Sequence, residues 1–353
     1  MLDKLISSHP QALVLSQPLP LLYVALKRVF LENQYPAAES RYPLNDMIGS
    51  NFYDLEPFCT FLDTYAINPW YAHEILDSMR NFSGQMSRLK DPSIPNDHSY
   101  NLYEFFTSWC RRFISGSPPA VLGAKETFIE EFIPWALHRG IKVIQMIRDP
   151  RDYISSLEYG RGKKFGGRRK PLLFNLRAWR KSVAFALAHQ GHPDFFLLPY
   201  EALACHPKES LNRVMDFCGL SPLDERALSE IKDQSGKPWT SNSSHEKMLG
   251  ISSQSVGRWK TMLEPNRVAV IESLCWHEMK ALGYEVKLPR KSIIPVLTKF
   301  SDTEKLERPE LAFWRFTPER FSEEKVRLQC LSNHDYEPKW FIFEKAFQHL
   351  STV

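Results

Sequence analysis

Four short apolar runs, at residues 12–15, 120–122, 142–147 and 195–198, are each followed by a stretch whose apolar positions recur at helical spacing. Runs this short suit strands buried between two layers, and their alternation with helices predicts parallel strands joined by helical crossovers. The expected fold class is α/β, a parallel sheet with helices on both faces. Helices are predicted over residues 55–65, 70–80, 102–114, 173–189, 207–218, 223–232 and 265–282. Residues 35–117 form a long aromatic-rich insertion between the first two strands, which predicts a helical cap over a ligand crevice. Past residue 288 the pattern dissolves into a Pro- and Lys-containing linker and a tail holding Trp314, Phe316, Trp340 and Phe343. The domain reading is an α/β domain at 1–288, with its cap at 35–117, and a C-terminal extension at 289–353.

A chain of 353 residues can bury one large α/β core with additions. Its 45 basic residues exceed its 41 acidic ones by too little for a general nucleic-acid coat, so no nucleic-acid partner is expected. The six cysteines lie far apart, with no CxxC pair and no histidine at zinc-ligand spacing, which predicts reduced core thiols and no metal. The first residues lack a basic and then apolar leader, and no window approaches the ~20 apolar residues of a membrane span. A cytoplasmic protein without a membrane span is the expectation.

The third apolar run ends abruptly in Arg148-Asp149-Pro150-Arg151-Asp152. Asp149 suits the N-cap of a helix, Pro150 its first position, and Asp152 the third, where it would complete a capping box. The unpaired N–H groups and positive dipole end of such a helix suit an anion, and Arg148 at the lip of the strand adds a fork shaped for phosphate oxygens. Ligands of open α/β sheets bind outside the carboxyl ends of strands. The bland alternative is that both arginines pair with Asp149 and Asp152 on a solvated helix start.

Three segments, VIQMIRDPRDYISSL, FFLLPYEALACHPKESLNRVMDFCGL and SVGRWKTMLEPNRVAVIESLCWHEMKALGY, together and in this order resemble the sulfotransferase family. Its members transfer a sulfuryl group from 3′-phosphoadenosine-5′-phosphosulfate (PAPS) to an acceptor. The resemblance runs from about residue 2 to about residue 284 and implies a P-loop-like three-layer sandwich. It places Arg148 and Ser156 on the 3′-phosphate, Tyr200 near the adenine, and the loop through Ser253, Gly257 and Arg258 around the same phosphate. This chain offers Ser252, Ser253 and Gln254 where many members offer basic residues, which weakens that last contact. The GRWK segment also reads as an ordinary exposed turn with Trp259 in the core.

Family members hold the 5′-phosphosulfate with a strand and a Gly-, Ser- and Thr-containing loop, which this sequence lacks. The opening LDKLISSHPQALVLSQPLPLLY resembles the helix after that loop, a turn, and the second strand, so the first strand and the P-loop are expected to be missing. Donors of that kind are each worth about 10²–10³ in rate, and a catalytically impaired nucleotide-binding module is the alternative function. For the chemistry, the resemblance makes Lys125 the sulfuryl contact and Glu126 a candidate base, with Thr127 in its place if the register slips by one. Glu126 reads equally as a carboxylate serving a helix dipole. Gln17 stands where some relatives carry a glutamate; its amide can orient an acceptor but cannot take its proton. His9 can titrate near neutrality, but its HP turn reads as structural. Residues 160–170 pack six cations among four glycines, either a flap over an anionic ligand or a solvated loop. Aromatics of the insertion (Phe52, Tyr53, Phe58, Trp70, Tyr71, Tyr103 and neighbours) line an acceptor pocket or fill core. The expected function is PAPS-dependent transfer to a hydroxyl or amine of a small-molecule or carbohydrate acceptor; a homo-oligomer stays open. A P-loop kinase would need a Walker lysine and a magnesium-binding acid, for which no residues stand out.

Overall fold

Each apolar run becomes a strand: β1 (Ala12–Ser16), β2 (Val121–Lys125), β3 (Val143–Ile147) and β4 (Phe195–Pro199). The computed structural model describes residues 1–16, 20–34, 55–68, 99–111, 114, 119–127, 129–160, 170–224, 228, 230–232, 237–240, 250–303, 306 and 309–353. The helices are α1 (Leu2–Ile6), α2 (Pro20–Gln34), α3 (Leu55–Thr64), α4 (Leu102–Arg111), α5 (Ile133–His138), α6 (Pro150–Tyr159) and α7 (Leu172–His189). They continue with α8 (Tyr200–Cys205), α9 (Pro207–Cys218), α10 (Trp259–Met262), α11 (Pro265–Ala281), α12 (Ile293–Lys299), α13 (Pro318–Asn333) and α14 (Glu344–Ser351). The helix expected at 70–80 and most of that at 223–232 lie outside the described residues, as do 161–169 of the Gly-rich basic loop.

The strands pair in parallel, as their alternation with helices requires. Among the described residues the ladders form two separate two-stranded sheets, β1–β2 and β3–β4, where the sequence predicts one sheet. All five residues of β2 are half-buried, and in β3 only Ile147 is fully buried. Each strand is hydrogen-bonded along one edge, which leaves its other side less covered than a central strand would be.

The described residues fall into two compact units. Those of the first lie within Met1–Arg41, Asp54–Lys142 and Lys208–Ser241. Here the register runs from Ala12 opposite Val121 to Ser16 opposite Lys125, aligning the carboxyl ends of both strands. Helix α2 buries Leu22, Leu26 and Phe30, four residues apart and hence on one face. Phe58 of α3 packs its ring 5.0 Å from Phe30 and 5.2 Å from Phe132. Phe58, Tyr100 and Phe105 of the insertion are therefore core. Tyr103 is more exposed, with the Arg139 guanidinium 5.4 Å above its ring. Phe52, Tyr53, Trp70 and Tyr71 lie outside the described residues. Asp63 ties α3 to α5 by accepting from Trp135 Nε1 and Arg139 Nη2, both at 2.6 Å. His9 is buried, its Nδ1 accepting from the Gln11 amide at 3.1 Å and its Nε2 lying 3.0 Å from Ser221 Oγ. One ring nitrogen holds the turn and the other engages Ser221, far along the chain, which favours the structural reading.

The described residues of the second unit lie within Val143–Pro207 and Asn242–Val353. Its central helix α7 is buried nearly all round, and Arg177, Arg180 and Lys181 are buried with it. Buried charges persist only when paired. The partners come from α13: Arg177 Nε and Nη2 donate to Glu324 Oε1 at 3.1 and 2.9 Å, and Arg180 Nη1 donates to Glu324 Oε2 at 2.6 Å. Arg180 also donates to the Leu274 carbonyl of α11 at 3.0 Å, and Arg327 pairs with Glu278. Burial opposes charge on Glu324, but Arg180 and Arg177 hold its carboxyl well below the usual range. Beyond residue 288 the chain therefore folds into the core of this unit, with Trp314 packed 5.7 Å from Phe174 and Phe343 packed 4.9 Å from Phe185.

His277 on α11 is 2% exposed; burial, reinforced by Arg327 and Arg290, lowers its pKa to about 3. The unfolded chain takes up this proton near pH 6.5 while the folded chain refuses it, so stability is full above that pH and falls as pH drops towards 3. Between pH 7 and pH 5 the wild type should lose about 2 kcal/mol on this account. Urea unfolding of wild type and His277→Gln at both pH values checks this: the variant should lose less, and equal losses would show that His277 does not cause the drop.

Candidate functional site

In the second unit, Ile147 pairs with Pro199 at the last register position of the β3–β4 ladder. The next residues, Arg148 and Tyr200, therefore leave the carboxyl ends of two paired strands together. The Arg148 guanidinium lies 4.6 Å from the centre of the Tyr200 ring, and its Nη2 donates to the Ser255 carbonyl at 2.6 Å. Tyr200 Oη and Ser255 Oγ are 2.6 Å apart. Trp179 Nε1 donates to the Arg148 carbonyl at 2.8 Å and fixes the backbone there. Arg148 Nε is buried without a hydrogen-bond partner. Ser156 is half-buried two turns into α6.

Helix α6 starts as its sequence predicts at the cap and departs from it at the box. Asp149 is the N-cap and accepts from the Arg151 amide at 2.8 Å, with Pro150 following. The Asp149 amide, which a capping box would satisfy through Asp152, donates instead to Glu201 Oε1 at 2.8 Å. Asp152 is thereby released, and it accepts from the Gly257 amide at 2.6 Å and the Trp259 amide at 2.9 Å. Arg151 is a structural cation: it pairs with Asp149 and with Glu272 at 2.6 Å and lies 4.0 Å over the Trp259 ring. Arg148 takes no part in that pairing; Arg151 pairs with Asp149 as the bland alternative has it, but it is buried, not solvated, and its second partner is Glu272, not Asp152.

The segment from Ser252 is a 3₁₀ turn (Ser253–Ser255), capped by Ser252 Oγ, which accepts from the Gln254 amide at 3.2 Å. Ser253 and Gln254 are exposed, and Gly257 sits at φ +74°, a conformation in which any other residue would be strained. Arg258 is half-buried, and its Nη1 is buried without a partner. Ser255 thus joins Arg148 and Tyr200, and Asp152 holds the backbone on either side of Arg258 through the Gly257 and Trp259 amides. The sequence reading passed over Ser255 and Glu201. Glu201 was visible as the acid after Tyr200; burial raises its carboxyl despite the Asp149 amide, and Tyr284 donates to it at 3.1 Å. Ser255 carries no local signal, because its importance comes from the strand register.

In the first unit Lys125 ends β2 and Glu126 and Thr127 follow it, Lys125 and Glu126 half-buried and Thr127 exposed. Burial lowers the Lys125 pKa, with Asp3 and Glu126 opposing. Gln17 lies outside the described residues. No group of three or more His, Cys, Asp or Glu among the described residues is placed to hold a metal ion, and all six cysteines are free. No described helix is long and apolar enough to cross a membrane.

Parallel strand pairs with charged side chains gathered at their carboxyl ends define an α/β protein whose second unit carries an arginine-lined site. Residues 127–283 match the family model described as "Sulfotransferase domain". This match supports membership of the sulfotransferase family for that stretch of the chain. It is 25% identical over 162 residues to carbohydrate sulfotransferase 1 of Rattus norvegicus, covering 41% of this chain and 39% of that protein. It is 32% identical over 101 residues to carbohydrate sulfotransferase 2 of Homo sapiens, covering 27% of this chain and 18% of that protein. The matches thus span well under half the length of these relatives. Among solved structures, the sulfotransferase domain from the curacin biosynthetic pathway aligns over 81% of this chain and 93% of its own, at 16% identity and a TM-score of 0.44.

Proposed function

We propose that this chain is a PAPS-dependent sulfotransferase of P-loop-like architecture acting on a carbohydrate hydroxyl. One observation carries the nucleotide assignment: Arg148, the residue that follows β3 at the carboxyl end of the ladder, keeps a buried Nε donor without a partner, and Arg258 Nη1 is a second such donor. Buried charged donors left unpaired are costly, and a phosphate oxygen is the acceptor their geometry suits. Bound PAPS supplies the sulfuryl group. Arg148, Ser156 and Arg258 hold the 3′-phosphate, with the Ser253–Gly257 turn around it, and Tyr200 lies by the adenine. Lys125 neutralises charge at the sulfuryl end, and Glu126 takes the proton of the attacking hydroxyl. The carbohydrate acceptor is supported by the names of the matched relatives.

The test uses 3′-phosphoadenosine-5′-phosphate, the desulfated nucleotide. At about 100 times its Kd it should stabilise the full chain by about 2.7 kcal/mol, read as a raised Tm. No shift at millimolar nucleotide would overturn the site. Transfer of label from PAPS to an oligosaccharide panel tests the reaction; nucleotide binding without transfer would favour the non-catalytic module.

A further inference from the structure

Residues 250–258 contain a single charged side chain, Arg258. A loop so poor in cations cannot hold a phosphate by charge alone, so its effectiveness depends on how well its donors are held before the ligand arrives. The structure shows what holds it. Asp152 Oδ2 accepts from the Gly257 amide at 2.6 Å and Oδ1 from the Trp259 amide at 2.9 Å, one oxygen for each. Asp152 is 1% exposed and projects from α6, the helix that begins beside Arg148. At the other end of the turn, Ser255 engages Tyr200 through its hydroxyl and Arg148 through its carbonyl. Residues 255–259 are thus pinned at both ends, and Arg258 is the one charged side chain between the pins.

We propose that Asp152, seconded by Ser255, is the positioning residue of this loop, and that it sets the preference for a 3′-phosphorylated nucleotide by holding Gly257 and Arg258 in place relative to Arg148. Asp152 itself touches no ligand; it acts through the two amides. An asparagine could accept from one amide but would turn an N–H donor towards the other. This inference rests on the sulfotransferase reading and deepens it.

Calorimetric titration of the full chain with 3′-phosphoadenosine-5′-phosphate and with 5′-AMP separates the two claims. Wild type should prefer the 3′-phosphorylated nucleotide. In Asp152→Asn that preference should fall about ten-fold, from loss of the ordered loop, while 5′-AMP affinity stays near wild type. Ser255→Ala should lower it in the same direction. Amide hydrogen exchange in the ligand-free protein gives a second readout, since Gly257 and Trp259 should exchange faster in Asp152→Asn. If Asp152→Asn does not fold, Gly257→Ala, strained at φ +74°, should produce the same loss of preference. A wild type that binds both nucleotides equally would overturn the functional reading and this inference with it. A wild type that discriminates, with variants that discriminate as well, would overturn this inference alone.

Discussion

Arg148→Ala should lower affinity for 3′-phosphoadenosine-5′-phosphate by about 100-fold or more, the scale of removing one partner from a desolvated, hydrogen-bonded charge pair. The variant should fold, because the side chain gives up one hydrogen bond to the Ser255 carbonyl and a ring contact, with no ion pair among its described contacts. The Trp179 bond to residue 148 is to a backbone oxygen and survives any substitution. Arg148→Lys should recover little: an ammonium can supply charge, but it cannot lie flat against Tyr200 while forking towards both Ser255 and a phosphate. Thermal shift with the nucleotide decides the matter. Equal stabilisation of wild type and Arg148→Ala would remove position 148 from the site.

Glu324→Ala should cost about 3–5 kcal/mol, the range for breaking a buried ion pair from one side. Glu324 is the acceptor for two guanidiniums that are 0% and 1% exposed, and its removal takes from Arg180 its paired carboxylate and leaves Arg177 the part-exposed Glu323 in place of a buried one. A drop in Tm of about 10 °C is expected for a unit of this size. Glu323 is the control. It also pairs with Arg177, but its side chain is 25% exposed, so Glu323→Ala should cost under about 1 kcal/mol. Equal effects of the two substitutions would show that Arg177 and Arg180 do not depend on the buried carboxylate. Deleting residues 289–353 should be worse than Glu324→Ala, because the deletion also takes away Trp314 from Phe174 and Phe343 from Phe185. That outcome would make the C-terminal extension a folding requirement of the arginine-bearing unit.

The tail shows where sequence reasoning runs out. Its apolar periodicity is weak because helix α13 meets the core through charge: Arg320, Glu324 and Arg327 are all buried. Hydrophobic patterning is blind to a helix that packs by ion pairs, since the same residues usually mark a solvated face. The capping box failed for a related reason. Asp152 had the right spacing, but a competing acceptor, Glu201, arrived from helix α8 about fifty residues away and took the amide it was expected to serve.

Local chemistry alone was enough to determine the four strands, the helix beginning at Pro150 under its Asp149 cap, and the candidacy of Arg148, because each depends on residues within a few positions of one another. Tertiary structure alone decided that Arg151 is structural while Arg148 keeps an open donor, that Asp152 pins a loop a hundred residues downstream whose Ser255 reaches back to Arg148, and that the tail neutralises buried arginines. The division follows from range: a cap or a strand is set by neighbouring dihedrals and side chains, whereas the partner of a buried charge is set by which distant segment the packing delivers.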